Sequence, residues 1–135
     1  MVLIYYIIMK IKSPQRLVQE ALNSIKTLSP EEALEKKENN GCCLIDIRDL
    51  NELEANGRIE NSIHISRGLL EFSIHPESPY VKSGKIDLNK EIILFCAAGG
   101  RSALAAKTLK EMGHEKVSHI DGGFSLMVNK GFKVV

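Results

Sequence analysis

The sequence has no tryptophan, no long hydrophobic run and only three cysteines among its 135 residues. So few cysteines, and an odd number of them, do not predict a disulfide framework, and we expect free thiols in a reducing, cytoplasmic setting. The 18 basic and 17 acidic residues leave a formal charge of +1. There is therefore no basic surplus of the kind that binds nucleic acid or a membrane surface. The length and the overall composition are typical of one globular domain.

The apolar run MVLIYYIIM opens the sequence. It is shorter than the roughly 20 residues that a membrane-spanning helix needs, and it lacks the basic start and the cleavage site of a secretory signal. Three interpretations fit it: an added edge strand, a sticky tail, or upstream codons translated by misassignment, with Met9 as the alternative start. We treat residues 1–12 as an apolar tail that the fold can spare.

Predicted helices and strands alternate along the rest of the chain. Ser13-Pro14 and Ser29-Pro30 have the pattern of helix starts, with a capping residue followed by proline. Continuous apolar runs rich in β-branched residues, such as CCLIDIR at Cys42–Arg48 and IILFC before Ala97, predict buried parallel strands. We therefore predict an N-terminal helix within residues 13–26, followed by an α/β domain over residues 27–135 with a mainly parallel sheet.

Cys96 lies where a predicted buried strand ends and a helix starts about five residues later. Ligands of open parallel sheets bind at such points. Gly99 and Gly100 allow the intervening backbone to curl, which turns N–H groups toward the centre of the loop at the positive end of the helix. These N–H groups and Arg101 favour thiolate over thiol, so we expect Cys96 to be a nucleophile that attacks or carries an anionic group.

The stretch CAAGGRS resembles the active-site loop of the rhodanese family of single-domain sulfurtransferases. The stretch from Leu44 to Ser66 resembles that family's Asp-x-Arg strand end, short helix and following strand, and IDGGFSLMVNKGFKV resembles its closing segment. The resemblance implies a central, mainly parallel five-stranded sheet flanked by helices on both faces. Met127 stands where the family usually has tryptophan. Methionine fills irregular space well, so we interpret this as a substitution within the core.

The resemblance also implies the chemistry. The Cys96 thiolate would take a sulfane sulfur from thiosulfate or a persulfide donor and pass it from a persulfide to a thiol or cyanide acceptor. No metal or organic cofactor is required, and we expect a monomer or weak dimer. The loop residues that would hold substrate are Ala97, Ala98, Gly99, Gly100, Arg101 and Ser102. Some family members carry cationic residues at the places of Ala97 and Ala98, so thiosulfate is a doubtful donor here.

Two alternatives stay open. The chain could be a non-enzymatic module that relays or senses persulfide. Cysteine-based phosphatases and arsenate reductases use a similar loop, but theirs has five residues between cysteine and arginine, and this one has four. A smaller ring of N–H groups suits one sulfur atom better than a tetrahedral oxyanion.

The remaining polar and sulfur-bearing residues have less specific interpretations. Asp46 and Arg48, at the end of their strand, are interpreted as an ion pair that supports the loop. Cys42 and Cys43 begin the same strand, too far from Cys96 for a disulfide, and are interpreted as core thiols. The four histidines lack metal-ligand spacing and are interpreted as surface or strand residues, so no metal site is predicted.

Overall fold

The computed structural model describes residues 2–135. Met1, the first residue of the predicted tail, lies outside the described residues. Five parallel strands form one sheet in the order β1-β5-β4-β2-β3. The strands are β1 Lys26–Leu28, β2 Cys42–Asp46, β3 Ile63–His64, β4 Glu91–Phe95 and β5 Val117–Ile120. The predicted α/β class and five-stranded parallel sheet are thus confirmed.

Eight α-helices surround this sheet within residues 2–135. They are α1 Val2–Lys10, α2 Pro14–Leu22, α3 Pro30–Glu38, α4 Leu50–Asn56, α5 Leu70–Ser73, α6 Pro79–Lys82, α7 Gly100–Glu111 and α8 Gly123–Met127. A turn of 3-10 helix, Arg67–Leu69, precedes α5.

The predicted helix starts are confirmed at atomic detail. Ser13 Oγ accepts from the N–H of Arg16 at 3.1 Å, and proline occupies the first helical position of α2. At α3, Ser29 Oγ accepts from the N–H of Glu32, whose carboxylate accepts in return from the N–H of Ser29. This reciprocal capping box satisfies two N–H groups that have no partner within the helix.

Two segments after α4 are short. The strand that ends the stretch from Leu44 to Ser66 pairs with β2 only at Ile63 and His64. The proline-containing loop that follows it includes the short helix α6, because Ser78 Oγ accepts from the N–H of Val81 and proline again follows the capping residue.

The apolar run at the N-terminus forms α1 rather than an added edge strand, which corrects one of its three interpretations. Val2, Leu3, Ile4 and Ile7 are each more than half exposed in this helix. The described side chains of α1 thus contribute little to the buried core, in keeping with a segment that the fold can spare.

Apolar side chains fill both faces of the sheet. Ile45, Ile92 and Leu94 pack on the face covered by α5 and α7. Their strand neighbours Leu44 and Ile93 point to the opposite face, which α3 and α8 cover. Met127 is fully buried in this second cluster, which confirms its predicted core position.

The register of the sheet positions the loop. Cys42 pairs with Glu91 and Asp46 with Phe95, so β2 and β4 end level with each other. The chain after β4 therefore begins at the same edge as the chain after β2, and Cys96 is the first residue beyond that edge.

Candidate active site

The predicted loop closes around the sulfur of Cys96, a residue that is only 1% exposed. The N–H groups of Gly99 and Ser102 donate to Sγ at 3.2 and 3.3 Å. The thiol donates in turn to Ser102 Oγ at 3.5 Å. Because α7 begins at Gly100, the positive end of its dipole faces the same sulfur. This geometry stabilises negative charge on or next to Sγ.

Two glycines allow the packing that shapes the loop. Gly99 has a φ of +106°, in the left-handed region that side chains with a Cβ rarely adopt. A Cβ on Gly123 would collide with the carbonyl oxygen of Cys96. Because glycine has no Cβ, α8 can begin close to the loop. The N–H of Phe124 then donates to Cys96 O at 2.8 Å, and the N–H of Ser125 donates to Ala97 O at 3.1 Å. The start of α8 thus braces the cysteine loop from behind.

Asp46 and Arg48 form a buried ion pair, 0% and 1% exposed. Arg48 Nη2 donates to Asp46 Oδ2 at 2.7 Å and to the carbonyl oxygen of Gly57 at 2.9 Å. The guanidinium carbon lies 4.0 Å from the centre of the Phe124 ring. The pair therefore connects the end of β2 with Gly57, after α4, and with Phe124, at the start of α8. Phe124 in turn contacts the cysteine loop, because its N–H donates to Cys96 O.

Arg101 is held by a carboxylate that the sequence interpretation did not connect to it. Its two terminal nitrogens donate to the two carboxylate oxygens of Glu52, both at 2.8 Å. These hydrogen bonds hold the pKa of Glu52 at about 2 and raise that of Arg101. The one cation of the loop is thus already paired, and it is less available to an anionic donor than its position in the sequence suggested.

A cavity of about 500 Å³ opens over the loop. One side consists of loop and α7 residues, and the other side belongs to α2. The lining residues are Pro14, Gln15, Val18, Gln19, Cys96, Ala97, Ala98, Gly100, Arg101 and Leu104. Helix α2 therefore forms one wall of the candidate site, which its sequence, read by itself, did not indicate. Arg101 is the charged residue in this lining; the others are apolar or carry neutral amides.

A hollow of about 560 Å³ lies elsewhere, near the start of β4. Lys26, Glu91 and Lys110 are among its lining residues, and Lys26 pairs with Glu91 at 3.3 Å. It contains no cysteine, so the smaller cavity, which Cys96 lines, is the candidate site.

Within residues 2–135, no cluster of three or more potential metal ligands occurs. Each helix in this part of the chain is too short or too polar to span a membrane.

His119 is a site residue that the sequence interpretation missed. It lies in β5 as expected, but it is only 2% exposed, with Nδ1 3.0 Å from Ser102 Oγ and Nε2 3.0 Å from Thr27 Oγ1. Burial lowers its pKa, against the opposing charge of Asp121. A histidine within an otherwise buried parallel strand is the signal that could have identified it.

The other two cysteines lie at the opposite end of the sheet. Cys42 and Cys43 pair in register with Glu91 and Ile92, whereas Cys96 lies beyond the far end of the same strand. Cys43 Sγ accepts from the N–H of Asp87 at 3.4 Å. Burial raises the pKa of Cys42 to about 11. This surrounding is typical of structural thiols.

The fold and the loop together define a class: a parallel α/β domain with a buried cysteine, held by backbone N–H groups, at the carboxyl edge of its sheet. The family model of the rhodanese-like domain matches residues 29–130. The chain belongs to the rhodanese-like family, and the resemblance seen in the sequence is confirmed.

Curated relatives include two proteins named thiosulfate sulfurtransferase GlpE. That of Pseudomonas savastanoi pv. phaseolicola is 30% identical over 78% of this chain and 89% of its own length. That of Ectopseudomonas mendocina is 33% identical over 78% of this chain and 86% of its own length.

Similar solved structures include two with different descriptions. A Rhodopseudomonas palustris protein of unknown function, described as a possible tyrosine phosphatase, has a TM-score of 0.81 and 38% identity, covering 92% of this chain and 95% of that one. The polysulfide-sulfur transferase homodimer of Wolinella succinogenes has a TM-score of 0.68 and 34% identity, covering 87% and 83%.

Proposed function

We propose that this protein is a sulfurtransferase that carries sulfane sulfur on Cys96. The observation that carries the proposal is the pair of N–H groups that donate to Sγ, in a chain of the rhodanese-like family whose curated relatives are named sulfurtransferases. Two N–H groups already contact the sulfur atom, and because Cys96 lines the same cavity as Ala97 and Ala98, we infer that a terminal sulfur added to it lies in that cavity.

The reaction has two displacement steps. The Cys96 thiolate attacks the outer sulfur of the donor, a new S–S bond forms, and the donor's own bond to that sulfur breaks. The electron pair leaves with sulfite when thiosulfate is the donor, or with a thiolate when a persulfide is the donor. A thiol or cyanide then attacks the terminal sulfur and the Cys96 thiolate leaves, so no net oxidation occurs. The N–H groups of Gly99 and Ser102 stabilise the sulfur anion that begins and ends the cycle.

The cavity favours a persulfide donor over thiosulfate. Thiosulfate is a small dianion, and the cation that would bind it, Arg101, is already paired with Glu52. The α2 wall adds two apolar side chains and two neutral amides, which suit the organic part of a larger donor. The polysulfide-sulfur transferase among the similar structures supports a donor of this kind.

A donor panel tests the proposal. One purified preparation is assayed with thiosulfate, mercaptopyruvate, glutathione persulfide and a phosphate ester. We expect glutathione persulfide to have the highest kcat/KM, about tenfold above thiosulfate, because the cavity contacts its organic part. A preference for thiosulfate would contradict the choice of donor. A protein persulfide is assayed as a fifth donor, and sulfur loading from it alone would show a relay instead of an enzyme.

A phosphatase is the second candidate, because the Rhodopseudomonas structure carries that description. Four residues separate Cys96 from Arg101, and two backbone N–H groups already point at Sγ itself. This arrangement leaves a smaller ring than a tetrahedral phosphoryl group needs. Turnover of the phosphate ester without sulfur transfer would establish the phosphatase instead.

A further inference from the structure

A row of side chains leads from the buried sulfur to the edge of the sheet. Cys96 Sγ donates to Ser102 Oγ at 3.5 Å, Ser102 Oγ lies 3.0 Å from His119 Nδ1, and His119 Nε2 lies 3.0 Å from Thr27 Oγ1. The first three residues are at most 2% exposed, whereas Thr27 is exposed on the edge strand β1. The row therefore connects Cys96 to solvent through residues that do not line the cavity over the loop.

We propose that His119 is a positioning residue for Cys96, and that its tautomer switches when the cysteine changes between thiol and thiolate. This inference shares with the proposed function only the premise that Cys96 is the nucleophile. It adds a residue that lies outside the cavity and the loop.

The two directions of the hydrogen bonds define the two states. In the thiol state, Sγ–H donates to Ser102 Oγ, the Ser102 hydroxyl donates to His119 Nδ1, and His119 Nε2–H donates to Thr27 Oγ1. In the thiolate state every bond is reversed: Thr27 donates to Nε2, Nδ1–H donates to Ser102 Oγ, and the Ser102 hydroxyl donates to the sulfur anion. Changing from the first state to the second removes one proton from sulfur and releases one proton to water at Thr27. The imidazole is neutral at both ends of this process.

The surroundings favour such a neutral relay over a histidine that holds the proton as a cation. The imidazole is buried, so desolvation disfavours its charged form and lowers its pKa. Asp121, in the turn after β5, opposes this effect. Arg101 is paired with Glu52, Lys26 of β1 is paired with Glu91, and β4 presents the apolar Leu94 beside His119.

Ser102 has one hydroxyl proton and several partners, which is why His119 matters. Its hydroxyl can also donate to the carbonyl oxygen of Gly99 at 3.2 Å. When His119 Nδ1 carries a proton and donates to Ser102 Oγ, the Ser102 proton points away from His119 and is available to the sulfur anion. A histidine that merely filled the core would not change tautomer with the state of Cys96.

The direct test is imidazole 15N NMR of the full chain labelled at histidine, with His119 assigned by comparison with His119→Leu. We expect the Nε2–H tautomer at low pH and the Nδ1–H tautomer at high pH, with the change at the pH midpoint of Cys96 alkylation by iodoacetamide. In Cys96→Ser the switch should disappear. A tautomer that stays constant across this midpoint in the wild-type protein would overturn the proposal.

Alkylation of the Cys96 peptide, followed by mass spectrometry, provides the second readout. His119→Leu should move the midpoint up by about one pH unit. Without Nδ1–H as a donor to Ser102 Oγ, the Ser102 hydroxyl is no longer directed toward the sulfur anion. His119→Asn, whose side-chain amide can still donate to Ser102, should restore at least half of that shift. Equal midpoints in wild type and a folded His119→Leu would also overturn the proposal, and circular dichroism establishes that the variant is folded. Neither readout requires sulfur transfer, so the inference and the proposed function can fail independently.

Discussion

At the scale of single residues, the Arg101–Glu52 pair defines how charged the site is. The two side chains meet in a two-pronged pair at 2.8 Å, although 49 positions separate them in the chain. The sequence showed Arg101 as the one cation of the loop but did not show its partner. A cation matched by a carboxylate binds a further anion more weakly than a free one.

Arg101→Ala should raise KM for thiosulfate about tenfold, because the loop loses its cation and Glu52 is left as an unpaired anion nearby. It should also move the alkylation midpoint of Cys96 to higher pH, because the cation that favours thiolate is removed. The double variant Arg101→Ala, Glu52→Ala is the control, and it should recover part of the thiosulfate affinity. Unchanged KM and an unchanged pH–rate profile in Arg101→Ala would remove Arg101 from the site.

Glu52→Gln should destabilise the protein at neutral pH but not in strong acid. The folded state holds the pKa of Glu52 at about 2, below its ordinary value of 4.5. A lowered carboxyl pKa stabilises the fold above the unfolded value, and this contribution is lost as pH falls toward the folded one. Urea unfolding should show a loss of about 1 kcal/mol at pH 7 that shrinks between pH 4.5 and about 2. A difference independent of pH would contradict the account.

At the scale of elements, the two N-terminal helices have different roles. Both precede the segment that the family model matches, which begins at residue 29. Yet α2 packs on α7 and lines the cavity over Cys96, whereas several apolar side chains of α1 are exposed. The capping serine and proline predicted α2, but no local pattern shows which helix packs beside a loop formed some 80 residues later.

Deleting residues 1–8 should leave the melting temperature and the transferase rate unchanged and improve solubility, because exposed apolar side chains are removed and no described core residue is lost. Thermal unfolding and sedimentation of the full-length and the truncated protein check this. A clear fall in melting temperature would show instead that the segment packs as an integral part of the fold.

Replacing both amides of the α2 wall, Gln15→Ala with Gln19→Ala, should raise KM for glutathione persulfide about fivefold and leave thiosulfate kinetics nearly unchanged. In the proposed function, the organic part of the larger donor is the part that reaches α2. Glu20→Ala is the matched control on the same helix, since Glu20 pairs with Lys12 and Arg16 away from the cavity. An equal effect on both donors would show that α2 acts on the loop rather than on the donor.

At the scale of the whole molecule, the fold class was predictable and the long-range contacts were not. Continuous apolar runs at Leu44 and Ile93 predicted buried parallel strands, and the glycine-containing loop after Cys96 predicted the edge of the sheet at which the candidate site lies. The strand order depends on pairings between distant segments, which local patterns do not contain. His119 was missed for the same reason, since its partners lie 17 and 92 positions away.

The proposed function rests on Cys96 carrying sulfur, and intact-mass analysis tests this most directly. After incubation with excess donor, the protein should gain the mass of one sulfur atom, and cyanide or a thiol should remove it. Cys96→Ser should show no gain, because a hydroxyl is a far weaker nucleophile and cannot form a persulfide. The double variant Cys42→Ser, Cys43→Ser should load as the wild type does. Loading on Cys42 or Cys43 with Cys96 unmodified, or no sulfur gain from any donor, would contradict the account.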